Sequence, residues 1–134
     1  MQSMRMLDKQ DENEEAEEVT WEDQQRINSF SKLNTRVRDL NEKLKELKVE
    51  KEALEDLSTE LELADEDEPV LYKVGETFLH LPLPRAQKRL ARDQADVEKR
   101  LAAAADSVDE CERQMKELKV VLYAKFGKAI NLDE

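Results

Sequence analysis

The sequence predicts a mainly α chain: two long helices folded back on each other as an antiparallel coiled coil, with one β-hairpin between them. Three observations predict it. Of 134 residues 41% are charged, and there are only 2 glycines and 3 prolines, so the chain has few places to turn. Such a composition with a heptad period marks long helices; the period separates it from disorder, which shares the high charge and the shortage of aromatics. Leucines recur every seven residues in the first half, and a second seven-residue stripe fills the last third. Between the stripes lies EPVLYKVGETFLHLP, residues 68–82, where apolar residues alternate and Gly and Pro appear together.

Residues 1–18 read as a disordered acidic tail, since residues 1–23 carry nine acids and two bases. The remaining 19–134 read as one domain. Thr20, followed by Glu22 and Asp23, suits an N-cap with acids in the first turn, where the helix dipole favours them, and a helix is expected over 21–64. Its d positions are Leu33, Leu40, Leu47, Leu54 and Leu61; its a positions are Phe30, Val37, Leu44, Lys51 and Ser58. The acidic run ELADEDE then ends the stripe. A hairpin is expected over 69–82 and a second helix over 84–127, closed by Gly127 at the position of a C′ glycine. In that helix the d positions are Leu90, Val97, Ala104, Cys111 and Leu118, and the a positions are Gln94, Leu101, Val108, Met115 and Leu122.

Helices of equal length on either side of a hairpin should fold back so that positions whose numbers sum to about 148 meet. Phe30 then meets Leu118, Leu33 meets Met115, Val37 meets Cys111, Leu40 meets Val108, Leu44 meets Ala104 and Leu47 meets Leu101. Each layer pairs an a with a d, as an antiparallel seam requires. Nearer the hairpin Lys51 faces Val97, Gln94 faces Leu54 and Ser58 faces Leu90, so that half of the seam is weaker. Lys51 is expected to carry its ammonium out to water along its alkyl stem.

In the hairpin Val70, Tyr72 and Val74 lie on one face and Leu71 on the other, while Phe78, Leu79 and Leu81 add apolar bulk to the second strand. An isolated two-stranded hairpin is marginal in water. On the sequence alone this chain supplies neither further strands nor a packing surface, so the hairpin reads as an assembly device that joins an inter-subunit β-barrel and closes its edges there.

No pattern for catalysis is present: one His, no Gly-rich phosphate loop and no Cys or His cluster with metal spacing. No enzyme activity, metal or cofactor is expected. His80, between Leu79 and Leu81, reads as structural, and Cys111 as a buried, inert seam residue. The acid runs lack the glycine and spacing of a calcium loop. There is no basic face for nucleic acid, the acidic N-terminal segment would be repelled by an anionic membrane surface, and the longest apolar runs are too short to span a bilayer. A single cysteine and no apolar leader fit a soluble chain in a reducing compartment.

Trp21, Ile27, Tyr123, Phe126, Ile130 and Leu132 are apolar residues outside the seam, and the antiparallel register gathers them at the end furthest from the hairpin. Two readings are open, evenly for Trp21, Tyr123 and Phe126: a small cluster that holds the helix ends together, or a tip that offers apolar surface to another protein, in which case all six residues are the candidate binding tip. Phe30 reads as seam.

Helix, single hairpin, helix resembles the β-type prefoldin subunits. EDQQRINSF (Glu22 to Phe30) is similar to the start of the first helix in that family, and YAKFGKAINL (Tyr123 to Leu132) to its C-terminal end; LAD before the hairpin and Tyr72, Gly75 and Phe78 within it also fit. The resemblance covers about residues 19–134. It departs at LPLPRAQKRL, where two prolines and three basic residues replace a polar, acidic helix start. The resemblance implies a heterohexamer in which this chain joins two α-type and three further β-type subunits through a β-barrel of hairpins. It further implies ATP-independent binding of unfolded proteins, actin and tubulin among them, at the tips of the coiled coils, and their delivery to the cytosolic group II chaperonin. The compartment implied is the cytoplasm, with the nucleus open as a second one. A coiled-coil adaptor or tether without client binding is the alternative reading.

Overall fold

Helix α1 spans Trp21–Glu62 and begins on a reciprocal cap. The Asp23 N–H donates to Thr20 Oγ1 and the Thr20 N–H donates to Asp23 Oδ2, each at 3.1 Å. This is the capping-box arrangement with Asp in place of Glu, and it satisfies two of the amide donors that a helix start leaves without partners. The helix ends two residues before the expected 64. Leu63 and Ala64 N–H groups bond back to the carbonyls of Glu60 and Leu61, so the last turn tightens to an i→i−3 pattern. Acids and no base occupy this end, which the helix dipole disfavours.

The computed structural model describes residues 18–132 and, for backbone pairing, Met4–Met6. The hairpin consists of β2 (Val70–Val74) and β3 (Thr77–Leu81), antiparallel, with Tyr72 opposite Leu79 and Leu71 opposite His80. Gly75 stands first in the two-residue turn at φ 63°, and no non-glycine residue has positive φ. That is the pattern of a type II′ turn, in which only a residue without Cβ sits comfortably at the first position. Helix α2 spans Leu83–Phe126, one residue earlier at each end than expected. Pro84 is tolerated because the amides of a first turn have no helical acceptor in any case; the Ala86 N–H closes the first turn on Pro82 O at 3.0 Å.

Gly127 (φ 55°) breaks α2 and starts a 3-10 turn, Gly127–Ala129, which leads into β4 (Ile130–Leu132). Here the structure differs from the expected disordered tail: strand β1, Met4–Met6, pairs antiparallel with β4, Met6 opposite Ile130. The rest of the expectation for 1–18 lies outside the described residues, except for exposed Glu18.

The described residues form two compact units. One, the helix-end unit, comprises α1 up to Glu42, α2 from Ala105, and the β1–β4 pair. Its core is Phe30, Met115, Leu122, Phe126, Ala129, Ile130 and Leu132, with Ile27, Leu33, Val37 and Leu118 packed against it. The other, the hairpin unit, is Lys43–Ala104. Its core joins Leu61, Tyr72, Leu83, Ala86 and Leu90, with Leu54, Leu57, Val70, Val74 and Leu81 at the margin.

Within each unit the helices meet in the antiparallel sense. Phe30 packs with Met115 and Leu118 in one. In the other, Lys51, Leu54, Gln94 and Val97 line one small cavity, and Lys51 Nζ pairs with Glu98 at 2.8 Å. Of the expected seam, Leu47, Val108, Cys111 and Met115 are buried; Leu33, Val37, Leu40, Leu44, Leu101 and Leu118 are half-buried. Lys51 does carry its ammonium outward, and Glu98 raises its pKa by accepting a hydrogen bond from it.

Candidate interaction surfaces

The hairpin presents two faces of different character. Directly opposed residues share a face, so Val70 with Leu81, Tyr72 with Leu79, and Val74 with Thr77 form one, and Leu71 with His80 and Lys73 with Phe78 form the other. The first face lies on the helices. Tyr72 is 2% exposed, and its hydroxyl donates to Asp93 Oδ2 at 2.7 Å. Arg89 Nε holds the same carboxylate from one helical turn away, at 3.2 Å. Burial, and then the bond to Asp93, push the Tyr72 pKa well up, so the phenol stays a donor.

This corrects one expectation. The chain does supply a packing surface for its own hairpin: the end of α1 (Leu61) and the start of α2 (Leu83, Ala86, Leu90). Leu83 continues the d series one heptad before Leu90, but it stands among prolines and basic residues, and Ala86 lies off the a and d positions, so the sequence does not mark the two as a bed for the hairpin. Asp93 was overlooked as well; nothing in its surroundings marks it except its place one turn beyond Arg89. Of the seven hairpin residues expected to serve assembly, Tyr72 is therefore internal, and Val70, Val74 and Leu81 are half-buried against the helices. Leu71, Phe78 and Leu79 stay open at 53%, 57% and 45% exposure.

The helix-end unit needs a second correction. Phe126, Ile130 and Leu132 were expected to offer apolar surface, but they are 3%, 4% and 1% exposed and belong to the core around Phe30. The turn at Gly127 folds the last residues back, and β4 seats Ile130 and Leu132 inward. For Phe126 the cluster that holds the helix ends together is thus the right reading. Ile27 is half-buried against the same core. Trp21 remains 73% exposed, Val120 65% and Val121 45%. Tyr123, 40% exposed, is tied to the fold, since its hydroxyl accepts the Leu132 N–H at 3.1 Å.

Beside this core sits a buried ion pair that the heptad stripes do not mark, although its positions sum to 148 as the antiparallel register asks. Asp23 is 2% exposed; its carboxylate accepts from the Thr20 N–H and from Arg26, and pairs with Lys125 of α2. The Lys125 hydrogen bond first, then the Thr20 N–H and hydroxyl, outweigh burial and hold the Asp23 pKa at about 2. Lys125 and Lys119 also lie over the rings of Phe126 and Phe30, at 5.4 and 5.8 Å. Among the described residues no helix is long and apolar enough to cross a membrane.

Two long helices joined by one hairpin are the architecture of a coiled-coil subunit, and its relatives are of the chaperone class. The chain belongs to the prefoldin subunit family: the family's pattern matches residues 24–129. It is 41% identical to prefoldin subunit 4 of Saccharomyces cerevisiae over 116 residues, covering 87% of this chain and 90% of that protein. It is 34% identical to prefoldin subunit 4 of Homo sapiens over 116 residues (86% of this chain, 87% of that protein). To the probable prefoldin subunit 4 of Dictyostelium discoideum it is 36% identical over 135 residues, 98% and 99% of the two chains.

Proposed function

We propose that this chain is one β-type subunit of a heterohexameric, ATP-independent co-chaperone, assembled with two α-type and three further β-type prefoldin subunits. It holds unfolded proteins of the actin and tubulin class and delivers them to the group II chaperonin of the cytoplasm. The observation that carries the reading is the division of open apolar residues between two regions. Leu71, Phe78 and Leu79 stand on a hairpin already anchored on its own helices; that rigid, half-apolar hairpin is suited to inter-subunit strand pairing in a β-barrel. Trp21, Val120 and Val121 stand exposed in the other unit, where apolar segments of an unfolded chain find surface without displacing the core. Contacts of this kind are individually weak, and several subunits acting together hold a client through avidity.

The test is light scattering of chemically denatured actin diluted into the reconstituted complex. Trp21→Ser with Val120→Ser is expected to leave the complex intact and to weaken protection against aggregation, partially, because other subunits also hold client. Undiminished protection would assign this chain a scaffolding role alone.

A further inference from the structure

Between β3 and the first turns of α2 runs a groove of about 410 Å³, lined by Val74, Leu79 and Leu81 of the hairpin and by Arg85, Lys88, Arg89 and Arg92 of the helix. Its apolar side continues the hairpin face that carries Tyr72, and Leu79 remains 45% exposed there. Its other side is entirely basic. Arg89 is engaged by Asp93 at 3.2 Å. Arg85, Lys88 and Arg92 are exposed and have no carboxylate partner among the described residues. The first turn of α2 contains no acid, so the positive end of the helix dipole adds to these cations rather than being offset. Local helix energetics disfavour such a start, in a chain whose net charge is −11. Three of the four groove cations thus stand without a counter-charge in the described fold.

We propose that this groove recognises an acidic polypeptide segment of a neighbouring prefoldin subunit, one that seats apolar side chains on Leu79 and Leu81 and sets carboxylates against Arg85, Lys88 and Arg92. The inference rests on the reading of the chain as a subunit of an assembly and adds to it a chemical criterion for the neighbour. A purely apolar partner would leave these cations beside a desolvated surface, at a cost. A purely acidic one would leave Val74 and Leu79 wet. Charge across such a contact sets partner choice and association rate more than total affinity, which is the requirement when several similar hairpins must each find the right neighbour.

Two measurements on the full chain test this. In the complex purified from its own cells, carbodiimide, which joins an amine to a carboxylate without a spacer, should link Lys88 to an Asp or Glu of another subunit, identified by mass spectrometry. Linkage only to carboxylates of its own chain, or none, overturns the proposal. Arg85→Glu favours the first turn of α2 through its dipole, and helical circular dichroism at the parent level shows that the triple variant Arg85→Glu, Lys88→Glu, Arg92→Glu keeps its fold. The triple variant should enter the complex about tenfold less readily, and the parent's entry should weaken between roughly 0.05 and 0.5 M salt while the variant's should not. Incorporation at the parent level, with Leu71→Asp excluded from the complex, overturns the groove and leaves the proposed function standing. Incorporation of both variants at the parent level overturns both. Binding of a labelled polynucleotide by the parent, lost in the triple variant, would assign the groove to nucleic acid and overturn it as well.

Discussion

Asp23 shows how one side chain joins three levels of structure. It caps α1, it accepts from Arg26 one turn on, and it reaches Lys125 of α2. A buried carboxylate is tolerable only when paired and hydrogen-bonded, and here every partner acts on the ionised form. With a folded pKa of about 2 against an ordinary 3.8, Asp23 binds its proton less readily in the folded chain than in the unfolded one. The stabilisation is therefore fully present above pH 4 and is lost as the pH falls towards 2. Asp23→Asn should lower the melting temperature at neutral pH and make its decline between pH 4 and pH 2 shallower than the parent's. A decline of equal steepness would show that Asp23 does not couple to this unit's stability. Tyr72 is the corresponding residue of the hairpin unit. Tyr72→Phe removes only the bond to half-exposed Asp93 and should cost about 1 kcal/mol; Tyr72→Ala also empties the site beneath the hairpin and should cost about 3–5 kcal/mol in denaturant unfolding.

At the level of elements the two helix stripes are unequally buried. From α2, Leu90, Val97, Ala104, Val108, Cys111, Met115 and Leu122 are buried; from α1, only Phe30, Leu47 and Leu61 among the a and d positions. A seam between two helices has no third element to cover its flanks, so long side chains such as Leu33, Leu40 and Leu44 stay partly in water. Leu47→Ala should cost about 2–5 kcal/mol, and half-exposed Leu101→Ala less, about 1–2 kcal/mol. The two should couple in a double-mutant cycle because they share a layer; strictly additive losses would mean that the seam runs in another register there. The C-terminal element follows different logic. With Ile130 and Leu132 sealing the Phe30 core, their removal would uncover that core, so deletion of the last residues is no test of client contact; Trp21 and Val120 are, since they touch solvent.

For the molecule as a whole, the proposed function gives the hairpin a dual duty. One face closes the hairpin unit and the other remains free, so assembly and stability can be separated by choosing the face. Leu71→Asp or Phe78→Asp, both at exposed positions, should abolish entry into a complex with other prefoldin subunits while leaving helical circular dichroism unchanged. Variants that still co-purify at parental stoichiometry would remove the hairpin from the assembly surface. Tyr72→Asp would not discriminate, because it places a charge in this chain's own core.

The sequence by itself determined the helices, their antiparallel register, the hairpin and its turn, because each rests on local period or turn chemistry: sevenfold leucines, alternation, Gly75 and Gly127. It also determined that Trp21 and the open hairpin residues have no place in the seam. Only the tertiary structure decided what covers what. Leu83 and Ala86 become the bed of the hairpin, Asp93 becomes the acceptor of Tyr72, and Phe126, Ile130 and Leu132 turn from candidate surface into core. The physical reason is that apolarity and spacing state which residues seek burial. Which of them obtain it depends on where the chain doubles back, at Gly127 and at the hairpin's landing on α2, and neither local period nor turn chemistry states where that landing falls.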